Sequence, residues 1–180
     1  MYLVTVALAV ALLGVTAAQW TQPPPLVDEG LVFFSPHPDD ETYAAALTLA
    51  ANARAGRRVV VVLLTDGEQS KDASWWLEEH ARDLDQDGDR DRWDFGLARR
   101  AEFIASMERL GVTETVFLGA ADSQGARGLE DKELAGSDLP AIVADTMARY
   151  PEETPMTVMK AVDGDTYLGD KEAHPDHTAL

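Results

Sequence analysis

The sequence places Ser35-Pro36-His37-Pro38-Asp39-Asp40-Glu41 between a short apolar run, residues 31–34, and an alanine-rich segment, residues 41–55. The apolar run is typical of a buried strand, and the alanine-rich segment is typical of a helix. We expect Pro38 to occupy the first helical position, with His37 near the N-cap. Open α/β sheets place their active sites at strand-to-helix turns of this kind.

The polar side chains of this turn can form a metal site. A neutral imidazole at His37 and a carboxylate at Asp40 can hold one divalent ion, and His177 is a candidate third ligand. That set leaves Asp39 free to act as a base. The alternative is that the acids only stabilise the N-terminus of a helix. The histidines favour a metal site, because three of the four in the chain lie in two His-Pro-Asp frames.

The two frames carry a family resemblance. His37-Pro38-Asp39-Asp40-Glu41 and the later His174-Pro175-Asp176-His177 resemble the motifs of N-acetylglucosaminyl deacetylases, the LmbE-like or PIG-L-like proteins. The resemblance covers about residues 31–180 and implies an α/β fold, a Rossmann-like three-layer sandwich with a mostly parallel sheet. Members of the family continue beyond the second motif, so we expect this chain to be truncated at its C-terminus.

The resemblance also implies a function, a zinc-dependent hydrolase that removes an N-acetyl group from an amino sugar or a related small amide. The expected zinc ligands are His37, Asp40 and His177. Another divalent metal suits the same ligands. Asp39 is the expected general base, and His174 is expected to stabilise the oxyanion or to act as an acid. Asp176 is expected to orient a histidine.

Strands and helices alternate along the rest of the chain. We predict strands at residues 58–64, 115–119 and 155–159, and helices at residues 97–110 and 138–150. This alternation is itself typical of a parallel sheet. The predicted apolar face of the 97–110 helix consists of Phe103, Ile104, Met107 and Leu110.

Three further residues occupy places that the resemblance assigns to the substrate pocket. Glu68 lies in the loop after the second predicted strand, where an ordinary turn is an equal explanation. Arg99 is expected to face the pocket, although an arginine and Glu102, three residues on, usually form a surface pair. Asp122 follows the third predicted strand and is expected to accept a substrate hydroxyl, although a plain strand-ending turn explains this residue almost as well.

An acidic stretch, residues 83–94, matches the spacing of a twelve-residue calcium loop with Gly88 at its sixth position. Its candidate ligands are Asp83, Asp85, Asp87, Asp91 and Asp94. The alternative is a solvated acidic loop. The calcium interpretation and the nearby tryptophans suggest a second function, a secreted calcium- or carbohydrate-binding module on an inactive hydrolase fold. A third candidate is a hydrolase of thiol-conjugate amides.

Composition limits the partners and the compartment. The 180-residue chain has a net charge of -17, which argues against nucleic acid or an anionic membrane surface and leaves a small-molecule or glycan substrate. It has no cysteine, so any metal is held by His, Asp or Glu. Residues 1–18 are apolar and predict a signal peptide or membrane anchor, or alternatively a buried first element. A proline-rich spacer, residues 19–29, and one domain, residues 30–180, follow, so we expect a secreted or extracytoplasmic protein.

Overall fold

The computed structural model describes residues 29–80, 82–119, 128–150, 156–160 and 176. Helices and strands alternate along these residues. In chain order the elements are β1 (Gly30–Ser35), α1 (Asp40–Arg54), β2 (Val59–Leu63), α2 (Asp72–Glu79), α3 (Arg92–Leu110), β3 (Glu114–Phe117), a 3-10 turn (Leu134–Gly136), α4 (Leu139–Met147) and β4 (Met156–Lys160). Each predicted strand and helix is therefore confirmed, with shifted ends, and α2 is an element that the sequence did not predict.

The described strands form one sheet in the order β3-β2-β1-β4, and every pairing is parallel. β1 lies at the centre, with Leu31 opposite Val59 of β2 and Thr157 of β4. β1 and β2 are buried along their whole length. Continuous apolar runs are expected of parallel strands covered on both faces. The predicted Rossmann-like α/β sheet is confirmed.

Helices cover both faces of the sheet and make three layers. On one face, Phe33 and Val61 pack with Leu49 of α1 and Phe103 of α3. The side chains at alternate positions of β1 and β2 point to the other face of the sheet, where they pack with residues before, in and after α4. On α3 the prediction fails at Ile104, which is 40% exposed. The buried core therefore fixes the position of the carboxyl end of β1. Open α/β sheets bind ligands at the carboxyl ends of their strands.

α3 begins at Arg92, five residues before the predicted start. The reason is a capping box, in which the Asp91 side chain accepts a hydrogen bond from Trp93 N at 2.8 Å and the Asp94 side chain accepts one from Asp91 N at 3.0 Å. These two acids satisfy backbone donors that a helix N-terminus otherwise leaves without a partner. The helix ends as predicted, at Gly111 with φ +81°.

The corner between β1 and α1 differs from the prediction. The N-cap is Asp39, and α1 begins at Asp40, so the expectation that Pro38 takes the first helical position is wrong. Asp39 has φ +119°, a left-handed conformation that costs a non-glycine residue about 1–3 kcal/mol. The Glu41 carboxylate, only 1% exposed, holds this corner by accepting hydrogen bonds from Asp39 N at 3.1 Å and Ser35 Oγ at 3.2 Å.

Residues 1–18 lie outside the described part of the chain, so the signal peptide or anchor stays a prediction. The domain boundaries at residues 18 and 29 are likewise predictions. Among the helices that the structure describes, none combines the length and the apolar character needed to cross a bilayer.

Replacing Phe103 by alanine tests the core on the α1 and α3 face. Phe103 is 2% exposed and contacts the Phe117 ring edge-on, with centroids 5.8 Å apart. We expect Phe103→Ala to lower the free energy of unfolding by about 3–5 kcal/mol, through lost burial and a residual cavity. Leu47→Ala is the control, since Leu47 is 88% exposed, and its change should stay within about 0.5 kcal/mol. Urea unfolding measures both, and equal losses would contradict the packing.

Replacing Glu41 by glutamine tests the β1–α1 corner. Burial raises the pKa of the Glu41 carboxyl, although its hydrogen bonds oppose the shift. The protonated carboxyl therefore contributes stability that is complete below the ordinary pKa and is lost as pH rises through the folded pKa. Glutamine does not ionise, so it lacks the buried negative charge that Glu41 acquires as pH rises. We expect the stability of Glu41→Gln relative to wild type to increase with pH above about 4.5. Urea unfolding at several pH values, with a chelator present, would contradict this if the difference were flat.

Candidate metal centre

His37 lies at the centre of a group of carboxylates. Its Nδ1 is 3.1 Å from Asp40 Oδ2, and its Nε2 is 3.2 Å from both Asp131 Oδ1 and Asp176 Oδ2. Asp40 is the first residue of α1, and its Oδ2 also accepts a hydrogen bond from His37 N at 3.0 Å. The short chain path between His37 and Asp40 thus brings these two groups together as predicted. The remaining two acids come from distant parts of the chain.

Asp131 is a residue of the site that the sequence analysis missed. It lies between β3 and the 3-10 turn, where its Oδ2 accepts a hydrogen bond from Gln69 N at 3.1 Å. Its own backbone N–H donates to Glu68 Oε1 at 2.7 Å. No motif or periodicity surrounds Asp131 in the sequence, so nothing local distinguishes it from the other acids. The fold alone brings it to His37.

Asp176 is the described residue of the second His-Pro-Asp frame. It is fully buried, and its two oxygens accept hydrogen bonds from Lys132 N at 2.7 Å and Leu134 N at 3.1 Å. The carboxylate thereby binds the turn after Asp131 and lies 3.2 Å from His37 Nε2. Its predicted role in orienting a histidine stays a prediction. The other predicted site residues in this part of the chain, Asp122, His174 and His177, lie outside the described residues.

The charges around His37 suit a cation. Burial alone lowers the pKa of His37, but the carboxylates of Asp131, Asp176 and Asp40 raise it well above its ordinary value. One imidazolium cannot balance three carboxylates. Ligand atoms of His37, Asp131 and Asp176 all lie within 4.8 Å of one another. Imidazole and carboxylate are ligands that zinc and other divalent metals accept, so this group has the chemistry of a metal site.

Asp39 is the acid of the turn that faces solvent. Its side chain is 49% exposed, and its Oδ2 accepts a hydrogen bond from Arg99 Nη2 at 2.7 Å. Arg99 also donates to the Pro38 carbonyl. Burial raises the pKa of Asp39, whereas the Arg99 guanidinium opposes the shift. Arg99 therefore lies towards the site, as the resemblance implied, and orients the candidate base.

A cleft of about 500 Å³ opens beside His37 and Asp39. Its lining includes cations from three parts of the chain. The lining residues are His37, Asp39, Gly67, Gln69, Ser70, Lys71, Asp72, Arg99, Asp131 and Lys132. A sugar-sized substrate has room here, next to both the metal-binding group and the candidate base.

Glu68 lies beneath this cleft and not in its lining. It is 1% exposed, and its carboxylate supports Asp131 through the backbone hydrogen bond described above. Gly96 of α3 permits the close packing of this loop, since a Cβ there would lie 3.1 Å from the Asp66 Cβ and 3.2 Å from the Glu68 Cβ. Arg100 of α3 makes a two-pronged ion pair with Asp66, a contact that the sequence did not indicate.

The predicted five-acid calcium arrangement is not formed. Asp91 and Asp94 cap α3, and Asp94 is 1% exposed. Of the five candidates, only Asp83, Asp85 and Asp87 have ligand atoms within 4.8 Å of one another, and all three are exposed. Exposed acidic groups of this kind are common in solvated loops.

A curated relative resembles most of the chain. The 1D-myo-inositol 2-acetamido-2-deoxy-alpha-D-glucopyranoside deacetylase of Streptomyces scabiei is 32% identical over 157 residues, which are 84% of this chain and 45% of that protein. The corresponding deacetylase of Thermobispora bispora is 29% identical over 164 residues, 84% of this chain and 49% of that protein. The chain thus spans about half the length of these relatives.

Solved structures share the fold. The N,N'-diacetylchitobiose deacetylase of Pyrococcus horikoshii superimposes with a TM-score of 0.50 at 23% identity, over 84% of this chain and 46% of that chain. The 4-carboxy-2-hydroxymuconate hydratase GalB of Pseudomonas putida KT2440 superimposes with a TM-score of 0.52 at 24% identity, over 84% and 52%. Their names differ in chemistry, so this likeness supports the architecture and not a reaction.

A family profile matches a similar share of the chain. The sequence profile of the family described as "PIG-L: GlcNAc-PI de-N-acetylase" matches residues 32–180, from the first strand through the second His-Pro-Asp frame. It includes His37, Asp39 and Asp40 at the corner of β1 and α1, and it confirms the resemblance seen in the sequence. The chain belongs to the PIG-L family of GlcNAc-PI de-N-acetylases.

Proposed function

We propose that this protein is a zinc-dependent hydrolase that removes the N-acetyl group from an N-acetylglucosamine-type sugar. The observation that carries the proposal is the position of His37, with a carboxylate on each side of its ring, next to Asp39 in an open cleft. Family membership supports deacetylation. The acetamido sugar is supported by the name of the Streptomyces scabiei relative, which is a 2-acetamido-2-deoxy-glucopyranoside deacetylase.

The metal-binding residues would be His37 and Asp40, with His177 as the predicted third ligand. The donor set fits zinc because it consists of imidazole and carboxylate groups, and the three carboxylates around His37 carry more negative charge than one imidazolium neutralises. Zinc bound there supplies a more acidic water and polarises the acetamide carbonyl. Asp131 and Asp176, which contact His37 Nε2, are buried, so their hydrogen bonds hold the imidazole in one orientation.

Asp39 would transfer the proton of the reaction. Its carboxylate takes a proton from the attacking water and returns it to the sugar nitrogen as the C–N bond breaks, which leaves acetate and a free amine. The raised pKa makes it a stronger base, and Arg99 at 2.7 Å keeps its oxygen directed into the cleft. His174 as oxyanion stabiliser or acid, and Asp122 as a hydroxyl acceptor, stay predictions.

The alternative functions receive less support. A calcium- or carbohydrate-binding module would leave the arrangement around His37 and Asp39 without a role, and the calcium loop is incomplete. A hydrolase of thiol-conjugate amides would use the same residues and differ only in the cleft walls. The name of the curated relative favours the acetamido sugar over that amide.

Acetate release tests the proposed reaction directly. The folded, zinc-loaded protein should release acetate from N-acetylglucosamine or N,N'-diacetylchitobiose, a chelator should abolish the release, and added zinc should restore it. Enzymatic detection of acetate measures each step. A folded protein with bound zinc that releases no acetate from either sugar would overturn the acetamido-sugar substrate.

Asp39→Asn tests the proposed base. Asparagine has nearly the same shape but cannot take up the proton, so we expect turnover to fall by about 10²- to 10⁴-fold. Zinc content, measured by elemental analysis, should stay at the wild-type level. Asp145→Asn is the matched control, because Asp145 is an exposed acid on α4, and its turnover should equal that of wild type. Wild-type turnover in zinc-loaded Asp39→Asn would exclude Asp39 as the base.

A further inference from the structure

We propose that Asp131 is a positioning residue of the metal site. In this assignment Asp131 and Asp176 hold the Nε2–H of His37, so that Nδ1, beside Asp40, is the nitrogen that binds the metal. The assignment rests on the proposed function, since it takes His37 as a metal ligand. It adds a role for Asp131. It also states which ring nitrogen of His37 binds the metal. Distances alone do not decide this, because the nearest carboxylate oxygens lie 3.1 Å from Nδ1 and 3.2 Å from Nε2.

Access distinguishes the two sides of the ring. Asp131 lines the cleft but is only 2% exposed, and Asp176 is fully buried, so solvent reaches the Nε2 side of the ring less than the Nδ1 side. Asp40 retains 15% exposure of its side chain, and the neighbouring Asp39 retains 49%. A catalytic zinc keeps one coordination position for water or substrate. The more exposed Nδ1 side offers such a position next to the proposed base.

The acids on the Nε2 side are held as rigid acceptors. Both Asp176 oxygens accept backbone hydrogen bonds, from Lys132 and Leu134. Asp131 is fixed at its carboxylate by Gln69 N and at its backbone by Glu68. Carboxylates fixed in this way can accept the imidazole N–H without rearrangement, the usual arrangement behind a metal-binding histidine.

The protonation of the ring follows from these neighbours. A neutral imidazole carries one N–H and one lone pair, and the hydrogen bond at one nitrogen determines which nitrogen binds a metal. Two carboxylates at Nε2 keep the proton there. The lone pair is then at Nδ1, 3.1 Å from Asp40 Oδ2. Asp131 thus acts through His37 and not on the metal itself.

Zinc affinity separates a ligand from a positioning residue. We expect wild type and the exposed control Asp145→Asn to bind one zinc with equal affinity in a chelator competition. Asp131→Asn should still bind one zinc, with affinity lower by about 10- to 100-fold. Asp40→Asn should lose binding far more completely. Circular dichroism confirms that each variant is folded, and Asp131→Glu, which restores a carboxylate, should recover part of the affinity.

Nitrogen-15 NMR of the histidines gives a readout that a purely structural role would not change. Zinc-loaded wild type should show His37 with a proton on Nε2 and the metal on Nδ1, assigned by comparison with His37→Gln. The opposite tautomer, a complete loss of zinc in Asp131→Asn, or wild-type affinity in that variant would each overturn the assignment. Correct zinc binding without acetate release would instead overturn the proposed reaction and leave the role of Asp131 intact.

Discussion

The site depends on the hydrogen bonds that Glu41 accepts from Asp39 N and Ser35 Oγ. They stabilise a left-handed backbone at Asp39 that would otherwise be unfavourable. This conformation turns the chain from β1 into α1 within a few residues. Asp40 consequently returns to His37, while Asp39 faces the cleft beside Arg99. One buried carboxylate thus separates two adjacent aspartates into different environments, which suits the metal ligand and the base proposed for them.

The site also depends on the turn around Asp131, which covers the Nε2 side of the His37 ring. Glu68, Gln69 and Asp176 hold this turn in place through hydrogen bonds. α3 packs closely at Gly96 against the loop that contains Asp66 and Glu68, and this contact fixes the position of the loop. The residues that contact the cleft are therefore supported by others with no access to substrate. Glu68 belongs to this support, and its expected role in binding substrate stays a prediction.

The sequence was sufficient where its signals are local. The apolar run of β2 and the Ala-rich α1 follow from periodicity, and both are confirmed. The contact between His37 and Asp40 follows from their short spacing, and their role as metal ligands stays a prediction. The start of α3 was wrong because Asp91 and Asp94 fit both a calcium loop and a capping box. Asp131 was missed because parallel crossovers join residues far apart in sequence, and single acids carry no pattern. The contact of Arg100 with Asp66 was missed for the same reason.

The sheet order has a consequence for how the chain folds. β4 pairs with β1, although all the other helices and strands named above lie between them in the sequence. Asp176 follows β4. Long-range parallel pairings form slowly, because the loop must close before its contacts contribute. During synthesis β1, α1 and β2 therefore emerge before the acids that enclose His37. The order of synthesis thus leaves His37 exposed to ions and solvent until Asp131 and Asp176 have been synthesised.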